Sequence, residues 1–107
     1  MVGPTPPGAD SVFDGTAVDT RFGPVQVAVK IANGAVSDVE VLQSPDFDGR
    51  SRRINEQALP MLHDEALQAQ SAAVDTIGGA TYTSDAYAQS LQSAIDAARA
   101  AGVTRLL

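Results

Sequence analysis

The segment Gly23-Pro24-Val25-Gln26-Val27-Ala28-Val29-Lys30-Ile31-Ala32-Asn33-Gly34 limits the possible folds more than any other stretch of the chain. Val25, Val27, Val29 and Ile31 alternate with Gln26, Ala28, Lys30 and Ala32, the period of a strand with one buried face. Such a strand has to lie on a core. Asn33-Gly34 supplies two residues that tolerate positive φ, as a type I′ turn requires, so a hairpin leads into Val36-Ser37-Asp38-Val39-Glu40-Val41-Leu42. A first strand is expected at about 15–21, after the turn signal Asp14-Gly15 and before Gly23-Pro24. Together these make a three-stranded antiparallel meander.

Helical spacing takes over after a polar loop. From about 51 to 70, Ile54, Ala58, Leu62 and Ala66, with Leu59 and Leu67 beside them, recur on one helical face. Pro60 has no N–H to donate to the preceding turn. It predicts either two helices breaking near Leu59 or one kinked helix whose second segment opens at Pro60. Residues 73–77 read as a short strand that delivers the chain to Gly78-Gly79. A last helix should start near Ser84-Asp85, either of which can cap it, and run to about Ala101 before Gly102. Its inward face would be Tyr87, Leu91, Ala94, Ile95 and Ala98. The class is α+β: an antiparallel sheet of three meander strands plus a short later strand, with a Pro-broken helix and a C-terminal helix packed on one face.

With 107 residues, the chain has room for one core and no second domain. The expected division is a flexible Pro/Gly-rich tether at 1–12, a folded domain at 13–104 and a tail at 105–107. A net charge of -6 disfavours neutralising nucleic-acid phosphates or docking on anionic lipid. Without cysteine there is neither a disulfide nor a thiolate site. No run approaches the ~18 apolar residues of a membrane span. The start, Met1-Val2-Gly3-Pro4-Thr5-Pro6-Pro7-Gly8, has the composition of a tether behind a removed export signal or lipid anchor, and fits a plain disordered terminus equally.

Chemistry concentrates at Asp75-Thr76-Ile77-Gly78-Gly79-Ala80-Thr81-Tyr82-Thr83-Ser84. Two glycines and several hydroxyls precede a long amphipathic helix. The first turn of a helix offers unpaired N–H groups and the positive end of the macrodipole, and glycine lets a phosphate come close. An ordinary capped helix start has the same outline, so these residues alone leave both readings open.

The same residues carry a resemblance. Asp75, followed by Gly79-Ala80-Thr81-Tyr82-Thr83, resembles the flavinylation motif of the FMN-binding domain family: Asp, two residues, Ser or Thr, Gly-Ala-Thr, any residue, Ser or Thr. Gly78 stands where that family usually has Ser or Thr, which removes one hydroxyl contact. The likeness extends from about Asp14 to Ala101, including Gly23-Pro24-Val25-Gln26-Val27 and Asn55-Glu56-Gln57-Ala58-Leu59-Pro60. It implies a cofactor, FMN, joined by a phosphoester to Thr83. It also implies a separate Mg-dependent flavin transferase with FAD as donor, and an extracytoplasmic electron carrier serving a redox partner protein or membrane electron-transfer complex.

Under that resemblance the cofactor-binding residues are Thr83, Gly78, Gly79, Ala80, Thr81, Tyr82, Ser84 and Asp75. Asp75 would serve the encounter with the transferase or cap the turn through an Asx bond. Arg21, Phe22, Leu59 and Pro60 are candidates, by position, for the cation and flat apolar surface beside the flavin ring. Ordinary roles compete with these: Phe22 and Leu59 as packing residues, Arg21 as a solvated side chain. His63 reads as a surface or satisfied structural histidine. A binding module that holds FMN or another phosphorylated ligand without a covalent bond is the alternative from a different class.

Overall fold

The computed structural model describes residues 11–44, 49–77 and 80–102. In chain order these form β1 (Ser11–Asp14), β2 (Val18–Thr20), β3 (Gly23–Ala32), β4 (Ala35–Gln43), α1 (Gly49–Ala69) and α2 (Thr81–Ala100). β3 is the central strand of a four-stranded antiparallel sheet, bonded to each of the other three. The architecture is therefore α+β, as the sequence implies.

The hairpin forms where the turn residues place it. Asn33 and Gly34 take φ of 56° and 80°, and Ala32 faces Ala35 across the turn. The apolar side of β3 is fully enclosed, with Val25, Val27, Val29 and Ile31 each at 0 % exposure. Against it pack Tyr87, Leu91, Ala94, Ile95 and Ala98 of α2 and Leu62 and Ala66 of α1 in one cluster. Both helices thus spend their apolar stripes on this face, and burial of that area is the main stabilising term.

Four expectations need correction. The strand anticipated at 15–21 is only β2, at 18–20; a further short strand, β1, precedes it at 11–14, and the two pair successive parts of β3 with a break at 15–17. Gly15 is the reason: a Cβ there would sit 2.1 Å from the carbonyl oxygen of Ser90 and 2.7 Å from its Oγ. The chain leaves the ladder at this point because α2 presses on it. Serines of the helix replace the lost partners. Ser93 Oγ accepts the Thr16 N–H at 2.7 Å, and Ser90 Oγ accepts the Val27 N–H at 2.9 Å.

The later strand at 73–77 does not form, so β1 and not this segment is the fourth member of the sheet. Val74 and Ile77 pack on the core, but nearby amides are satisfied locally: Val74 N–H by the Ala72 carbonyl, Ala73 N–H by Ser71 Oγ and Asp75 N–H by Glu65 Oε1. Side chains have taken the place of a ladder.

Of the two outcomes expected at Pro60, separate helices are ruled out, because α1 is continuous over 21 residues. Pro60 and Glu56 are both exposed, so the carbonyl deprived of its donor faces solvent rather than core. α1 ends at Gln70, whose φ is 54°. Its side chain explains a non-glycine residue in that conformation: Oε1 accepts the Val36 N–H at 2.8 Å, while Nε2 donates to the carbonyls of Val36 at 3.0 Å and Leu67 at 2.7 Å.

α2 begins at Thr81, three residues ahead of the anticipated Ser84-Asp85 start. It ends as expected: Gly102, at φ 74°, donates to the Arg99 carbonyl at 3.0 Å.

Candidate functional site

The β2–β3 turn, the first turn of α2 and the N-terminal half of α1 supply the residues that the motif singles out. Ala80 precedes α2 at φ -130° and ψ 40°, and no side chain caps the helix. Its own N–H donates to the Ile77 carbonyl at 2.9 Å, and the Ser84 N–H closes the first helical bond on the Ala80 carbonyl at 2.9 Å. Between them the N–H groups of Thr81, Tyr82 and Thr83 have no intrahelical acceptor, and among the described residues no other group takes them. No acidic residue occupies that first turn. A helix start without cap or carboxylate keeps its positive end available to an external anion.

Ser84 fixes the approach to this turn. Its Oγ accepts the Ile77 N–H at 3.0 Å and donates to the Ala80 carbonyl at 2.7 Å. Ser84 thus latches Ile77 to Ala80, and it does not cap the helix as expected. Gly78 and Gly79 lie outside the described residues.

Thr83 is nearly enclosed, at 7 % exposure, although the resemblance makes it the point of attachment. Its Oγ1 donates to Asn55 Oδ1 at 2.9 Å, and Asn55 is itself only 4 % exposed. Asn55 is the site residue that sequence reasoning did not single out. A signal existed: Asn55, Ala58, Leu62 and Ala66 share one buried stripe of α1, and an amide in an otherwise apolar row has to find a polar partner.

At the surface beside Thr83, Tyr82 is half exposed and Phe22 39 % exposed, their rings edge to face at 5.7 Å. The Arg21 guanidinium lies 5.5 Å from the centre of the Phe22 ring and 5.7 Å from that of Tyr82, and Nη1 donates to the Tyr82 hydroxyl at 3.5 Å. Two aromatic faces and a cation are thus displayed together next to the uncapped turn. Phe22 is not a core residue. A groove of about 420 Å³ lined by Pro24, Val41, Leu42, Gln43 and Ser44 opens where β3 begins and β4 ends.

The remaining candidates are elsewhere or make no contact here. Thr81 is exposed at the first position of α2. Asp75 is exposed, and its carboxylate makes no hydrogen bond among the described residues, so the Asx turn is not formed. Leu59 packs on the core and Pro60 faces solvent, neither bonded to the motif. His63 belongs to a different place: Nε2 meets Asp38 Oδ1 at 2.5 Å and Nδ1 meets Asp64 Oδ1 at 3.3 Å. The hydrogen bond to Asp38 raises its pKa above the ordinary histidine value and lowers that of Asp38. Tyr87 is buried with its hydroxyl unpaired among the described residues, and desolvation pushes its pKa up.

This arrangement suits a phosphate-bearing planar cofactor: unpaired amides for the anion, aromatic surface and a cation for a ring system. No curated protein matches the chain at a significant level. The sequence model of the FMN-binding domain does, over residues 22–96, from the β2–β3 turn through Asn55 and the whole Asp75–Ser84 motif into α2. The chain belongs to the FMN-binding domain family, and FMN is its cofactor.

Proposed function

We propose that this domain carries FMN through a phosphoester on Thr83 and relays electrons between partners outside the cytoplasm. The observation that carries the reading is the uncapped start of α2, with the amides of Thr81, Tyr82 and Thr83 unpaired in a chain of the FMN-binding family. Those amides hold the phosphate, and Arg21, Phe22 and Tyr82 flank the ring. When bound, FMN supplies electron transfer through its isoalloxazine, and the protein orients and tunes it.

Attachment needs an activated donor, because a threonyl hydroxyl is a weak nucleophile at neutral pH. A separate Mg-dependent transferase using FAD meets that need. The Thr83 Oγ1–P bond forms at the FMN phosphorus and the P–O bond to the AMP half breaks. AMP leaves with the bridging oxygen, and the Thr83 proton passes to a base of the transferase. The exposed carboxylate of Asp75 is available for that encounter. A covalent carrier keeps its flavin while it moves between donor and acceptor, whether a soluble protein or a membrane complex. No helix among the described residues is long and apolar enough to cross a bilayer.

One observation favours a second reading, a module that binds FMN or another phosphorylated ligand without a covalent bond. Thr83 is 7 % exposed and its hydroxyl is engaged by Asn55. Co-expression with a flavin transferase followed by intact-mass measurement under denaturing conditions separates the two. A gain of one FMN that Thr83→Ala abolishes establishes the ester. Yellow protein that loses all flavin on denaturation establishes the module.

A further inference from the structure

We infer that the first turn of α2 gates its own modification: the closed turn withholds Thr83, and the flavin transferase acts on the chain while that turn is open. This rests on the reading that Thr83 is the attachment point. In the closed structure Thr81 and Tyr82 are exposed, whereas Thr83 and Ser84 are buried, at 7 % and 2 % exposure. Phosphoryl transfer needs the attacking oxygen about 3–3.5 Å from phosphorus and in line with the leaving oxygen. FAD held inside an enzyme has no such approach to a side chain enclosed against α1. The proton is misplaced as well. It has to pass to a base of the transferase as the Oγ1–P bond forms and the P–O bond to the AMP half breaks. Instead the Oγ1–H is aimed at Asn55 Oδ1, 2.9 Å away, and an amide oxygen is too weak a base to take it.

The same turn is poised to open. α2 has no side-chain cap and no acidic residue in its first turn, so its start lacks two common helix-end stabilisers. Side-chain hydrogen bonds close it: Thr83 Oγ1 donates to Asn55 Oδ1, Ser84 Oγ donates to the Ala80 carbonyl, and the Ile77 N–H donates to Ser84 Oγ. The exposed Tyr82 adds an edge contact with Phe22 and a long bond from Arg21. Helix ends open at far lower free energy than the global fold, and Tyr87, Leu91, Ala94, Ile95 and Ala98 keep the rest of α2 on the core when the first turn lifts. Opening therefore brings Oγ1 and its proton within reach of the transferase without unfolding the domain. Esterification consumes that proton, so the loaded turn cannot remake the Thr83 bond to Asn55 Oδ1.

Ser84→Ala and Asn55→Ala in the full chain, each incubated with a flavin transferase, FAD and Mg2+ at carrier concentrations below KM, test this. Both remove a fastening of the closed turn, so both should form adduct faster by intact mass. The gain should match the rise in hydrogen exchange at the Ser84 amide, the donor of the first helical bond. For Ser84→Ala it should be about fivefold, the low end of what a lost acceptor does to an equilibrium. A folded variant whose Ser84 amide exchanges faster but whose adduct forms at the wild-type rate or slower overturns the inference and leaves the Thr83 reading standing. No adduct on the unaltered chain overturns both. Should the variants not fold, the unaltered chain decides: with excess transferase its adduct must form more slowly than the Ser84 amide opens, and faster formation overturns the inference.

Discussion

Gly15 meets the backbone of Ser90 so closely that a Cβ at position 15 would stand 2.1 Å from the Ser90 carbonyl oxygen. The obstructing atom belongs to a helix backbone and cannot swing aside. Gly15→Ala should cost on the order of 3 kcal/mol, the upper range for overpacking, and lower Tm by roughly 10–20 °C. A thermal melt that moves by less than about 2 °C would contradict this.

Ser84 holds the segment before α2 by two bonds, from the Ile77 N–H and to the Ala80 carbonyl. Ser84→Ala leaves Ile77 without its acceptor and should destabilise by about 1–3 kcal/mol. Hydrogen exchange checks the locality: the Ile77 amide should lose protection far more than amides of β3.

His63 and Asp38 make stability depend on pH in both directions. The raised pKa of His63 gives a contribution that is complete below its unfolded value of 6.5 and lost as pH rises through the folded value. The lowered pKa of Asp38 gives one that is present above 3.8 and lost as pH falls through its folded value. The pair therefore stabilises most between those unfolded values. The Tm difference between the wild type and Asp38→Asn should peak inside that window and shrink above it, and an NMR titration should place His63 above the free-histidine value.

Arg21 places a cation beside the two exposed rings at the site. With flavin beside it, as proposed, its charge favours the reduced, more negative form. Arg21→Gln should lower the two-electron midpoint potential by on the order of 10–20 mV, the equivalent of a surface cation–π interaction of about 0.5–1 kcal/mol. Spectroelectrochemistry of the loaded domain measures it, and a potential that stays fixed or rises excludes Arg21 from the ring environment.

What the sequence revealed was what neighbours along the chain determine. The β3–β4 hairpin follows from its own alternation and from Asn33-Gly34, and the buried stripe of α2 from its own spacing. What escaped depends on partners distant in sequence. The break at 15–17 is imposed by Ser90 and Ser93, the earlier start of α2 is held in place by the loop before it, and Asn55 meets Thr83 across 28 residues. Residues 73–77 were ambiguous for another reason, since a short apolar run packs on a core equally well as strand or as coil. Pro60 misled because proline's cost in a helix depends on where the unpaired carbonyl points, and exposure is invisible in a sequence.

The Gln70 side chain does for β4 what another strand would do. Among the described residues β4 is bonded to β3 alone, so its far side would offer free peptide groups, yet at Val36 both the N–H and the carbonyl are taken by one carboxamide. A stray chain seeking to add itself there finds its first register already filled. A single glutamine at the end of α1 thereby guards this edge against edge-to-edge aggregation, a task commonly given to charges or prolines on the strand itself.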